Sequence, residues 1–153
     1  MRIGQGFDLH RMKEGRRLML GGVEIPSPKG EDAHSDGDVL IHALIDAILG
    51  SKALGDIGTF FPPSDTRWKD ADSRELLKRT LSIADVSIIN IDCSIILQTP
   101  KLGPHIMRIR QSLASLINID VGDISVKAKT AEHILGELGT GDAIAAEVTL
   151  LIR

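Results

Sequence analysis

The chain has 153 residues, 42% of them apolar, and 18 basic against 21 acidic side chains leave a net charge of −3. That length fits one domain, residues 1–153, with a core of its own, and the mild acidity and scarcity of aromatics (three Phe, one Trp, no Tyr) argue against a nucleic-acid partner or a base-stacking surface. The lone Cys93 forbids an internal disulfide or a multi-cysteine zinc knuckle, and no apolar run approaches the roughly 20 residues of a bilayer span, so no membrane is expected either.

Residues 1–10 read as a strand entering a charged turn from Arg11 to Arg17. Leu18 to Pro26 reads as a hairpin, because Gly21-Gly22 between apolar runs suits a primed turn. Residues 27–37, rich in Gly, Ser, Pro and Asp, read as a loop. Asp38 to Ser51 reads as a helix so apolar that it must be largely buried, yet Asp38, His42 and Asp46 recur every fourth residue and share one face. Gly50 to Ala71 is broken by Gly and Pro and reads as a long loop of the functional kind. Helices are expected over Ser73–Ile83, with Ser73 as N-cap, and over Pro104–Ile117, with proline in the first turn. Strands are expected over Ser87–Gln98, Ile124–Lys129 and Ala143–Arg153, and a short helix over Thr130–Leu138. The pattern is an α+β domain: a four-to-five-stranded, mostly mixed sheet with helices packed on one face. The N-terminus has no secretory leader, so a cytoplasmic protein is expected, or one of the plastid stroma if a transit peptide has been removed.

Five groups of residues carry chemistry. Asp8 and His10, two apart on a strand, point to the same side and reach one point in space. Taken alone they read as ordinary polar side chains of an exposed strand. His42 lies on the buried helix, and burying Asp38, His42 and Asp46 without partners costs several kcal/mol, so a cation or a hydrogen-bonded partner must compensate. Two His and one Asp suit zinc with one open position, and Asp46 or Asp38 is then a candidate to orient the His42 ring. His34-Ser35-Asp36-Gly37-Asp38 precedes a helix start, where free N–H groups attract anions; a capped loop is the plainer reading. Gly55-Asp56-Ile57-Gly58 allows close backbone approach to a ligand, with Phe60 and Phe61 as a wall or an anchor. Lys127-Ala128-Lys129-Thr130-Ala131-Glu132 offers a hydroxyl for a phosphoryl oxygen and a carboxylate for a hard cation, or simply a helix cap.

In this order the motifs resemble the family of 2-C-methyl-D-erythritol 2,4-cyclodiphosphate synthases over almost the whole chain. The resemblance is carried by Gly6-Phe7-Asp8-Leu9-His10-Arg11, Leu20-Gly21-Gly22-Val23-Glu24-Ile25-Pro26, His34-Ser35-Asp36-Gly37-Asp38-Val39, His42-Ala43-Leu44-Ile45-Asp46-Ala47 and Leu54-Gly55-Asp56-Ile57-Gly58. It implies an enzyme of the non-mevalonate isoprenoid route. Such an enzyme turns 4-diphosphocytidyl-2-C-methyl-D-erythritol 2-phosphate into the cyclic diphosphate and CMP, as a homotrimer with active sites between subunits. It implies a Zn²⁺ on Asp8, His10 and His42, and a Mg²⁺ or Mn²⁺ held by Glu132 and the substrate phosphates. His34 and Thr130 match the catalytic, transition-state-stabilising positions. Substrate contacts are implied for Asp8, His10, His34, Ser35, Asp56, Ile57, Gly58, Phe61, Asp65, Lys129, Thr130 and Glu132. Pro100, Lys101, Leu102 and Gly103 match the cytidine pocket.

The chain departs from that pattern at Pro63, where the family has Asp, at Lys129-Thr130-Ala131-Glu132, where it has Thr-Thr-Thr-Glu, and at Thr140, where it has Arg. Lys129 is the cation expected to replace that Arg in part. The cyclisation needs no side-chain nucleophile, only two anions brought together and neutralised. The competing readings are a metal- or nucleotide-binding trimer without turnover, and a zinc hydrolase with Asp46 or Asp56 as base.

Overall fold

Alternation along the first strand, β1 (Arg2–Glu14), decides how the layers stack: Gly4, Gly6 and Met12 are buried, whereas Ile3, Gln5, Phe7, Leu9 and Arg11 face out. The computed structural model describes all of residues 1–153, as seven strands and five α-helices. Short strands β2 (Leu18–Leu20) and β3 (Val23–Ile25) form a separate hairpin closed by Gly21 and Gly22, both at positive φ as a primed turn requires. The main sheet runs β4-β1-β7-β5-β6, with β4 spanning Lys29–Glu31, β5 Ile88–Ile96, β6 Ile124–Lys129 and β7 Ala143–Ile152. Only β5 and β6 pair in parallel; the other neighbours are antiparallel, so the sheet is mixed as expected.

All the long helices lie on one face. Helix α1 (Val39–Ser51) packs across β1 and β7, α3 (Ser73–Ala84) packs against α1, and α4 (Ile106–Ile117) covers β6 and touches α3. Close contact with the sheet comes from small residues. A Cβ on Gly4 would stand 1.9 Å from the Ala47 carbonyl oxygen, and one on Gly6 2.0 Å from that of Ala43. Helix α1 is thus sunk into β1, and Leu40, Ile41, Leu44, Ile45 and Ile48 form the centre of the core. No helix is long and apolar enough to cross a membrane.

Several boundaries differ from the sequence reading. Arg11–Glu14 is strand rather than turn, because Arg11 pairs with Ala143 of β7 and β4, itself inside the expected 27–37 loop, pairs with Met12–Glu14 and sets Glu14 opposite Lys29. The long 50–71 connection contains a one-turn helix, α2 (Ile57–Phe60), and a 3₁₀ turn over Thr66–Trp68. Asp72, not Ser73, caps α3 by accepting the Arg74 N–H. Thr130–Leu138 is not helical: Glu132, His133 and Leu135 adopt positive φ, Ile134 and Leu135 stay exposed, and the only helix there is α5 (Glu137–Thr140). Ala131, Ile134, Leu135 and Leu138 have helical spacing, but Ile134 and Leu135 meet no covering surface, and packing of an apolar face is what stabilises helices of this length.

Candidate active site

Period two on β1 and one turn of α1 bring three side chains together. Asp8 Oδ2 lies 2.9 Å from His10 Nε2 and 3.1 Å from His42 Nδ1, and the two ring nitrogens are 3.0 Å apart. One carboxylate oxygen and two ring nitrogens this close together are a donor set that would suit a zinc ion with one position left open. Burial alone raises the Asp8 carboxyl, but hydrogen bonds and charges from both His outweigh it and hold Asp8 well below the carboxylate range. Burial lowers His42, and the Asp8 hydrogen bond and charge more than reverse that. The triad therefore attracts positive charge strongly at this point, whether from protons or a metal.

The far side of His42 shows how the ring is held. Its Nε2 lies 2.9 Å from Ser73 Oγ and 3.1 Å from Ser35 Oγ, and Ser73 Oγ in turn donates to Asp36. That chain keeps the proton on Nε2 and leaves the Nδ1 lone pair free for a metal. Neither expected orienting acid does this. Asp38 caps α1 and accepts the N–H groups of Gly21, Gly22 and Ile41; Asp46 accepts the Ile57 N–H at 2.7 Å. Ser73 was missed because it stands 31 residues from His42 and looks like a helix cap.

Around the triad lies a cavity of about 290 Å³. His34 and Ser35 line one side; Ile57, Gly58, Phe61, Pro63, Trp68 and Leu76 form an apolar wall. Asp56 caps α2 and accepts from Thr59, which aims Ile57 and Gly58 along that wall. Asp65 is tied instead to Arg67 by a two-pronged ion pair. Trp68 also escaped the sequence reading. Its indole stacks edge-on against Phe61 and carries the guanidinium groups of Arg67 and Arg79 over its ring at 5.5 and 5.4 Å.

Thr130, Glu132 and Lys129 are elsewhere. Thr130 Oγ1 donates to Glu132 Oε1 at 2.7 Å, just past the end of β6. Pro100–Gly103 follows β5 at the same edge, where the Leu97 N–H meets the Lys129 carbonyl. Strand register measures the gap: Asp8 pairs with Ala146, Ala146 with Ile95, and Ile95 with Ala128. Three strand spacings are roughly 14 Å, so within one chain the triad and the Thr130–Glu132 group form two separate half-sites at the same end of the sheet. At the Thr140 departure a different cation stands nearby. Lys29 Nζ reaches Asp142 Oδ1 at 2.7 Å, and Thr140 Oγ1 donates to Asp142 Oδ2.

Residues 1–153 match the YgbB family from end to end. The chain belongs to the YgbB family. Within that family it is 54% identical, over 99% of its length and 96% of the relative's, to the 2-C-methyl-D-erythritol 2,4-cyclodiphosphate synthase of Treponema denticola. It is 49% identical to the synthase of Syntrophomonas wolfei, over the whole of this chain and 99% of the other. Among solved structures it superposes on a synthase with CDP bound at a TM-score of 0.91 and 37% identity, over 99% of this chain and all of that one. It also matches the bifunctional IspDF of Campylobacter jejuni, at a TM-score of 0.93 and 40% identity, where it spans 99% of itself and 42% of the larger chain.

Proposed function

We propose that this YgbB-family chain is a cyclodiphosphate synthase: it converts 4-diphosphocytidyl-2-C-methyl-D-erythritol 2-phosphate to 2-C-methyl-D-erythritol 2,4-cyclodiphosphate and releases CMP. The observation that carries the reading is the convergence of Asp8, His10 and His42 on one point in a chain that matches the family throughout.

Attack of the 2-phosphate on the β-phosphate within one molecule is mainly a matter of holding both ends and neutralising their charge. The apolar wall of Ile57, Phe61, Trp68 and Leu76 takes the methyl-bearing carbon chain and keeps water from it. His34 and Ser35, which line the same cavity, would meet phosphate oxygens. Asp8, His10 and His42 would hold Zn²⁺, and Glu132 would hold Mg²⁺ or Mn²⁺; such ions would supply Lewis-acid polarisation and charge neutralisation to the diphosphate. Thr130 gives its one hydroxyl proton to Glu132 in the free chain; with Glu132 engaged by a cation, that proton would be released to the oxygen on which charge develops. Pro100, Lys101, Leu102 and Gly103 receive the cytidine end, in keeping with the CDP seen in two related structures, one of them from Plasmodium falciparum.

The two half-sites on opposite sheet edges support a homotrimer in which one copy supplies the triad and its neighbour supplies Thr130 and Glu132. The uncovered sheet face supports the same assembly: Ile3, Phe7 and Leu9 are 72%, 53% and 50% exposed there. A hydrolase is disfavoured, because Asp46 is committed to the Ile57 N–H and neither Asp46 nor Asp56 lines the triad's cavity.

The test is incubation of the metal-loaded protein with the diphosphocytidyl substrate, followed by ³¹P NMR and nucleotide chromatography. Equal amounts of CMP and cyclic diphosphate are expected, and His42→Ala abolishes both. A linear diphosphate product would point to the hydrolase, and absence of CMP to a binding protein.

A further inference from the structure

Glu31, the last residue of β4, is a fully buried acid with no role in the cleft. Its Oε2 accepts the Met19 N–H at 3.0 Å, while Oε1 is buried with no partner. Its Cβ packs against the turn before α1 so closely that a Cβ on Gly37, at φ +78°, would stand 2.5 Å away. That turn carries His34 and Ser35 on one side and Asp38, the cap of α1, on the other.

We propose that Glu31 is a positioning residue that works as a neutral carboxylic acid: protonated, it seats the His34–Asp38 turn, and its ionisation displaces that turn from the cleft. The inference rests on the proposed cyclisation, and a carboxyl titration tests it independently of that activity.

Charge explains why Glu31 rather than its neighbour holds the proton. Asp36 and Asp38 are the charged groups facing it from the turn into α1. From the turn after β1 comes Arg16, whose guanidinium donates to the backbone carbonyls of Glu31 and Ala33 rather than to the carboxyl. The β2 strand offers only the Met19 N–H. Burial raises Asp38 as well, but Asp38 accepts three N–H groups, so the single negative charge of the pair resides there. Burial, then the Asp38 charge, push Glu31 up to about 9. A second charge beside Asp38 would strain the cap of α1 and the turn that presents Ser35 to His42.

The experiment compares the holoenzyme with Glu31→Gln, which is isosteric with the neutral acid. Between about pH 7.5 and about pH 9.5 the wild-type kcat is expected to fall about four-fold, the loss of one proton with a pKa near 9, reversibly and with secondary structure intact. Glu31→Gln is expected to keep kcat within about two-fold across the same range, whereas Glu31→Ala loses activity at both pH values. A Gln variant that tracks the wild-type limb, or that is folded but nearly inactive at neutral pH, overturns the proposal. Should the variants fail to fold, ¹³C NMR of the wild-type Glu31 carboxyl decides: a midpoint near 9 supports the proposal and one below about 6 overturns it. Absence of turnover in wild type at neutral pH would instead strike the proposed activity and leave the carboxyl titration to judge Glu31.

Discussion

Ser73 shows how one hydroxyl governs a metal site it does not touch. Its oxygen receives the His42 Nε2 proton and passes its own to Asp36, so the ring is held in the tautomer a metal needs. Removing such an outer partner typically weakens metal binding about 10–100-fold. Ser73→Ala should fall near the low end, about ten-fold, because Ser35 Oγ remains at 3.1 Å from the same nitrogen. Zinc competition against a chromophoric chelator reads this directly, and unchanged affinity would reduce Ser73 to a helix-start residue. Glu31 makes a second prediction at this scale. In the native chain it keeps its proton up to about pH 9, whereas the unfolded chain releases it near 4.5. The native state thus binds more protons across that window, and stability declines as pH rises through it. His42, also raised, acts with the same sign: its contribution is present below 6.5 and lost as pH climbs through the raised value. Metal-free protein should therefore melt at lower temperature at pH 8 than at pH 6, and Glu31→Gln should shrink that difference, by calorimetry.

At the scale of elements, α1 on β1 is the contact that places the triad. The helix can approach only because Gly4 and Gly6 have no side chain under Ala47 and Ala43. Gly6→Ala should cost about 3 kcal/mol, since backbone cannot yield as a flexible side chain does. Gly50→Ala, within α1 but with only the Gln5 carbonyl nearby at 3.7 Å, should instead stabilise by about 0.5–1 kcal/mol. Urea midpoints of the two variants should move in opposite directions. The same contact explains what the sequence disclosed. Asp8 and His10 share a face by strand period, and His42 stands on a helix too apolar to be anywhere but inside, so the parts of the triad were legible from local spacing, and the resemblance joined them. The hairpin was legible too, because Gly21-Gly22 carries its own turn geometry. What was not legible depends on distant partners. Arg11 becomes strand because Ala143 lies beside it, and Met12–Glu14 because Lys29–Glu31 does. Ser73 gains its role from His42, 31 residues away, and Trp68 and Glu31 gain theirs from packing that no helix or strand period records. Glu31 in particular is an acid in a polar stretch, where solvent exposure is the ordinary expectation.

For the whole molecule, topology separates the two half-sites and the proposed shared-site trimer would join them, which makes a sharp complementation test possible. Take His42→Ala, which disables the triad half, and Glu132→Ala, which disables the other half; each homotrimer is expected to be inactive. In mixed trimers a competent site arises wherever an intact triad from the Glu132→Ala copy faces an intact Glu132 from the His42→Ala copy. Either mixed composition, two of one and one of the other, has one such interface out of three. Random mixing puts about three quarters of trimers in mixed form, so restored activity should reach about a quarter of wild type per site. Co-refolding equal amounts of the two variants and assaying CMP release measures it. Activity that stays at zero in verified mixed trimers would mean that the triad and Glu132 do not meet across subunits. In that case the roughly 14 Å between them must close within one chain, by a rearrangement of the segment after β6.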